Sequence, residues 1–197
     1  MTFTYRHLPV DNLEAISAEL KTFALPHVEG KTRTDLWALD MNQFLSSCPN
    51  TIAYFKSINQ LDNLYKCCIV VVQPNIPESA KAPHVDNNIE PPIESGISKG
   101  CISLNFNIQN GEVETCPAVF YKYISGEKTI RPLGDPNEGS YIFYIGCEME
   151  EISRYTLITP VIMNNSVPHL INNRMDTPRI SMSFRFKQDP WDFAKNG

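Results

Sequence analysis

Histidine is scarce in this 197-residue chain. The four present are His7, His27, His84 and His169, so any histidine-based catalysis or metal site must be drawn from that short set. Glycine is also thin, at 9 residues against 15 prolines, a balance that leans toward strands and shaped loops. No cysteine pair has the C-x-x-C spacing, which removes zinc-ribbon and thioredoxin readings. Of the six cysteines, the adjacent Cys67 and Cys68 head an apolar run and read as buried free thiols, and a disulfide framework is not expected. There is no basic run, and 17 Lys+Arg against 22 Asp+Glu give a net charge of -5. That balance disfavours nucleic acid and anionic membranes as partners. The longest apolar run, CCIVVV, is far short of the ~18 residues a membrane span requires. The opening stretch MTFTYRHLPVDNLEAI lacks an apolar signal core and a cleavage site, so a cytoplasmic protein is expected.

What is present is a globular composition, 42% hydrophobic and 20% charged, that suits one domain over 1–197. Residues 1–65 read as a helical support region. Asp11 and Asn12 are placed to cap a helix running to about Phe23, with Leu13, Ile16, Leu20 and Phe23 at helical spacing. The stretch 24–34, with His27, reads as a loop. Asp35 is placed to cap a second helix that carries Trp37, Leu36, Leu39 and Phe44 or Leu45 and is stopped by Pro49. A third short helix is expected over 51–58.

From residue 66 the periodicity changes to that of strands. About eight short strands fit between 66 and 187, counting a short one at the HVD segment. Strands of that number after a helical region suggest a mainly β jelly roll with helices packed on one sheet. The last strand, PRISMSFRF, puts Arg179, Ser181, Ser183 and Arg185 on one face. Ile180, Met182, Phe184 and Phe186 fall on the other. Two readings fit. The polar face meets solvent, or it lines a small barrel while the apolar face packs on the helices.

His84 and Asp86 stand two apart, so in a strand they project to one side and can chelate one metal ion. His169 is the best third ligand. Two histidines and a carboxylate on one face of an octahedron leave positions open for cosubstrate and oxygen, as in non-haem Fe(II) oxygenases. The H-x-D pair alone is a weak signal, since a solvated loop pair and a core histidine give the same letters. Arg179, ten residues after His169 and followed at plus two by Ser181, strengthens it. An arginine grips a carboxylate with two parallel bonds, and one deep in a barrel would be costly unless it met an anion there. Asn105 and Tyr121 lie on strands that could face the interior and touch a cosubstrate. Asn87 and Asn88 line the mouth or make a turn.

The ordered set His84-Val85-Asp86, His169, Arg179-Ile180-Ser181 resembles the 2-oxoglutarate- and Fe(II)-dependent oxygenase superfamily. The resemblance covers 66–187 and leaves the N-terminal third without a matching motif. It implies a double-stranded β-helix, a cupin-like barrel. It implies Fe(II) held by His84, Asp86 and His169, with 2-oxoglutarate chelating the metal and pairing its distal carboxylate with Arg179 and Ser181. It implies O2 as second cosubstrate and a dioxygenase that couples decarboxylation to hydroxylation or related C–H oxidation. Asp86 stands where halogenating relatives have a small residue, which favours hydroxylation. The substrate would be a small molecule, an amino acid or a peptide. Two alternatives stay open: a cupin-type metal-binding protein or non-oxidative enzyme that needs no Arg179, and an oxygenase acting on a protein side chain or nucleobase. Substrate identity and oligomeric state are not encoded legibly.

Overall fold

A computed structural model describes residues 4–74, 82–86, 102–132, 140–188 and 190. In chain order its elements are β1 (Tyr5–His7), α1 (Leu13–Val28), β2 (Asp35–Ala38), α2 (Met41–Ser47), α3 (Pro49–Ser57) and β3 (Leu64–Val72). They continue as β4 (His84–Val85), β5 (Ile102–Gln109), β6 (Ala118–Ser125), β7 (Thr129–Pro132), β8 (Ser140–Phe143) and β9 (Glu148–Tyr155). The last three are β10 (Val161–Asn164), β11 (His169–Ile171) and β12 (Arg179–Phe186). The strands form two six-stranded antiparallel sheets. The major sheet runs β1-β10-β5-β12-β3-β2 and the minor sheet runs β7-β8-β4-β11-β6-β9. This is a double-stranded β-helix, with the sequence-adjacent strands distributed between two facing layers.

Strand alternation explains how the layers pack. On the major sheet one set of alternate residues, Ile69 and Val71, Leu104 and Phe106, Met182 and Phe184, joins a core with Ile16, Leu20, Phe44 and Phe55 of the helices. Phe184 sits at its centre, with ring centroids 5.0 Å from Phe55, 5.2 Å from Phe44 and 5.8 Å from Phe106. Full burial of such a ring contributes about 1.5–3 kcal/mol. The other set faces the minor sheet. There Val161 and Met163 of β10 meet Ala118 and Phe120 of β6 in a second, smaller core. All eight residues of β12 are buried, so its polar face lines the barrel and its apolar face packs on the helices.

Several expectations for the N-terminal third need correction. It is not only helical, since β1 and β2 extend the major sheet at its two edges. Asp35–Ala38 is a strand rather than a helix start, because the edge of β3 offers it a ladder, with Trp37 opposite Ile69. Trp37 is therefore half-buried on a strand, with the Lys31 ammonium 5.4 Å from its ring centre. Helix α1 runs through Pro26 to Val28, which puts His27 in the helix and not in a loop. Pro26 lies in the last turn of α1, where its missing N–H removes one intrahelical bond and the helix still runs on to Val28. His7 lies on β1, its Nδ1 2.8 Å from the Thr159 hydroxyl.

The short helices are fixed by their caps. Pro49 opens α3 as its first residue, which its fixed φ and missing N–H suit. The Glu19 carboxylate of α1 accepts the Asn50 and Thr51 backbone N–H groups at 2.8 and 2.9 Å, an anion at a helix N-terminus. For α2 the cap is Asp40, whose Oδ1 accepts the Asn42 and Gln43 N–H groups at 2.7 and 3.0 Å. Asp40→Ala is expected to cost about 1 kcal/mol, read as a lower urea midpoint with an unchanged slope. Among the described residues no helix is long and apolar enough to cross a membrane. Cys48, Cys67, Cys68 and Cys116 are buried free thiols.

Candidate metal centre

The site begins with two neighbouring strands of the minor sheet. β11 pairs antiparallel with β4, and the register sets His169 opposite His84. Their rings lie side by side, 4.7 Å between centroids. Asp86 follows two residues after His84, and its backbone N–H donates to the Asn165 carbonyl at 3.1 Å, which fixes the end of β4. One donor atom from each of His84, Asp86 and His169 lies within 4.8 Å of the others, the spacing that one ion can bridge. Asp86 Oδ1 is 3.5 Å from His84 Nε2 and 3.9 Å from His169 Nε2.

The tautomers suit coordination. His169 Nδ1 is 2.9 Å from the Val167 carbonyl and His84 Nδ1 is 3.3 Å from the Ala82 carbonyl. A carbonyl only accepts, so each Nδ1 donates its proton there and each Nε2 is the ring atom that faces the gap. Burial pushes the His169 imidazole down to about 4, against the pull of Asp86, so it is neutral at physiological pH. Burial alone would raise the Asp86 carboxyl, but Arg185, His169 and His84 together hold it below the usual carboxylate range. Two imidazoles and one carboxylate are a donor set that fits Fe(II) and leaves open coordination positions.

The facing wall comes from β12. Arg179 is 1% exposed. Among the described residues its Nε and Nη1 have no hydrogen-bond partner. Burial lowers the guanidinium below its ordinary value, yet it remains a cation at any neutral pH. It shares a cavity of about 290 Å³ with Ser181, Asn105 and the three candidate ligands. A bare guanidinium in a dry pocket is costly unless an anion joins it. The charge, the two idle donors and the Ser181 hydroxyl beside them fit a carboxylate group.

Other expected residues divide. Asn105 lines the cavity, its Nδ2 donating to Ser103 Oγ at 2.9 Å. Tyr121 does not. It is half-buried on β6, and the neighbouring Phe120 takes the inward face, its ring 6.0 Å from His169. Alternation along the strand turns Tyr121 the other way. Asn87 and Asn88 lie outside the described residues. Two residues without an expected role also line the cavity. Tyr155 borders Arg179, and burial pushes its phenol up to about 12, so it stays protonated. Arg185 donates from Nη2 to Asp86 Oδ2 at 2.9 Å, an ion pair that joins the two sheets.

No protein family matches the chain, and no curated protein matches it in sequence. Solved structures match it in fold. A Pseudomonas putida prolyl-4-hydroxylase aligns over 95% of this chain and 94% of its own, at 12% identity and a TM-score of 0.51. The epimerase SnoN, solved with Fe3+, alpha ketoglutarate and nogalamycin RO, aligns over 94% of this chain and 79% of its own, at 14% identity and a TM-score of 0.51. The non-heme alpha ketoglutarate dependent carbocyclase SnoK from nogalamycin biosynthesis covers 93% and 79%, at 13% identity and a TM-score of 0.50. The shared feature is the double-stranded β-helix.

Proposed function

We propose that this chain is a 2-oxoglutarate- and Fe(II)-dependent dioxygenase that hydroxylates, or otherwise oxidises at carbon, a small-molecule, amino-acid or peptide substrate. One observation carries the reading. A fully buried arginine with idle donors shares a cavity with a His–Asp–His cluster. A metal-binding cupin without a diacid would leave that cation unexplained. The fold neighbours include a prolyl hydroxylase and two enzymes named for alpha ketoglutarate dependence or complexation, which supports the same substrate range.

Bound Fe(II) would supply the oxygen chemistry, in which 2-oxoglutarate and O2 yield succinate, carbon dioxide and a hydroxylated substrate. The protein's part is geometric and electrostatic. His84 Nε2, Asp86 Oδ1 and His169 Nε2 would hold the metal by one face. Arg179 and Ser181 would hold the distal carboxylate of the cosubstrate, which sets its reach toward the metal. Asn105 lines the same cavity, and its amide is held by Ser103. Tyr155 keeps its proton and adds no negative charge beside Arg179. Val70 lines the chamber and Phe120 packs beside His169, so both bring apolar surface to the site.

The test is cosubstrate turnover. The purified protein with Fe(II), 2-oxoglutarate and O2 is expected to form succinate slowly without added substrate, measured by mass spectrometry against a metal-free control. Absence of 2-oxoglutarate binding under anaerobic Fe(II) conditions would sink the reading and restore the cupin alternative.

A further inference from the structure

The two oxygens of Asp86 do different work. Oδ1 faces the gap between His84 Nε2 and His169 Nε2, at 3.5 and 3.9 Å. Oδ2 faces away from it and accepts Arg185 Nη2 at 2.9 Å. Both partners are buried, at 10% and 7% side-chain exposure, so solvent competes little with this bond. Charge-assisted bonds in such surroundings are short and roughly twice as strong as neutral ones. Arg185 belongs to β12, which is paired on both sides, to β3 and to β5, so its backbone has no freedom to follow Asp86 elsewhere.

From this geometry we infer that Arg185 is a positioning residue that restrains Asp86 to bind the metal through Oδ1 alone. The inference rests on the metal site proposed above. A free carboxylate near a divalent ion can swing and chelate through both oxygens. That would consume one of the positions a bidentate cosubstrate and O2 require. With Oδ2 tied to an immobile guanidinium, the second oxygen is withheld and that position stays open. The pair also gives the buried Asp86 carboxylate a counter-ion of its own.

The experiment titrates metal-free protein with Co(II) alone, whose visible ligand-field bands report coordination number and geometry. Arg185→Met keeps the aliphatic bulk and removes the clamp. Its Co(II) affinity is expected to fall by about 10- to 100-fold, with band intensities altered as the carboxylate changes mode. Arg185→Lys, which keeps the charge but loses the planar fork, should fall between parent and Arg185→Met. Circular dichroism melts establish that each variant is folded. A folded Arg185→Met that matches the parent in affinity and bands overturns the inference. Where Arg185→Met does not fold, Arg185→Lys decides: an affinity at least threefold weaker supports the clamp, and parent-like affinity and bands overturn it. A parent that binds no Co(II) would instead sink the metal site itself, so the two failures are distinguishable.

Discussion

Arg179→Met should make the empty protein more stable and the cosubstrate complex far weaker. The first effect follows from burial. The guanidinium is fully enclosed with two nitrogens unpartnered among the described residues, so a thioether of similar length removes a poorly compensated charge from the interior. Replacing buried ions by well-packed apolar groups gains on the order of 1–4 kcal/mol. At roughly 2–4 °C per kcal/mol for a chain of this size, calorimetry should resolve the rise. The second effect runs the other way. Truncating one partner of a buried charged pair costs about 2–5 kcal/mol, which is roughly 30-fold to several thousand-fold in the 2-oxoglutarate constant. Metal affinity should be spared, because Arg179 touches none of the three ligands. A variant that melts higher yet keeps the parent's 2-oxoglutarate constant would show that Arg179 has another purpose.

Asp86→Ala is the largest expected loss. It removes one of three candidate ligands, and it strands Arg185 without its anion. Breaking a buried pair from one side costs about 3–5 kcal/mol, or a drop in melting temperature of roughly 6–20 °C. Co(II) or Fe(II) binding should vanish with it. The double variant Asp86→Ala/Arg185→Met separates the causes. It should recover much of the melting temperature, since no orphaned cation remains, while metal binding stays absent. If the single variant melts like the parent, the ion pair contributes little and the cost of stranding Arg185 has been misjudged. If it retains metal, Asp86 is not a ligand.

The parts legible in the sequence were those with a strict period. β12 alternates polar and apolar without exception, and its two faces go where alternation allows, one into the barrel and one onto the helices. His84 and Asp86 two apart on a strand, and His169 opposite His84, follow from the same rule. The failures came where tertiary partners overrode local pattern. Asp35–Ala38 has helix-like spacing of Leu36 and Leu39, but an unpaired edge of β3 claims it as strand. Pro26 marks a loop by propensity, yet the packed face of α1 carries the helix past it. Arg185 was visible as a second cation on the inward face, and a buried cation demands an anion. Which anion could not be read, because Asp86 sits 99 residues earlier on the other sheet. Tyr121 does not line the cavity, and its neighbour Phe120 is the β6 residue whose ring approaches His169.

The two sheets divide the site between them. His84 and His169 stand on β4 and β11 of the minor layer, whereas Arg179 and Ser181 stand on β12 of the major layer. A diacid that touches both walls is therefore gauged by the gap, as a calliper gauges a rod. Keto-diacids one carbon shorter or longer than 2-oxoglutarate would meet one jaw and miss, or overrun, the other. Between the layers lie the side chains of the second core, Phe120 with Val161 and Met163 among them. If the chain binds a diacid as proposed, selectivity for its length would follow from the barrel's filling, through residues that never touch the diacid.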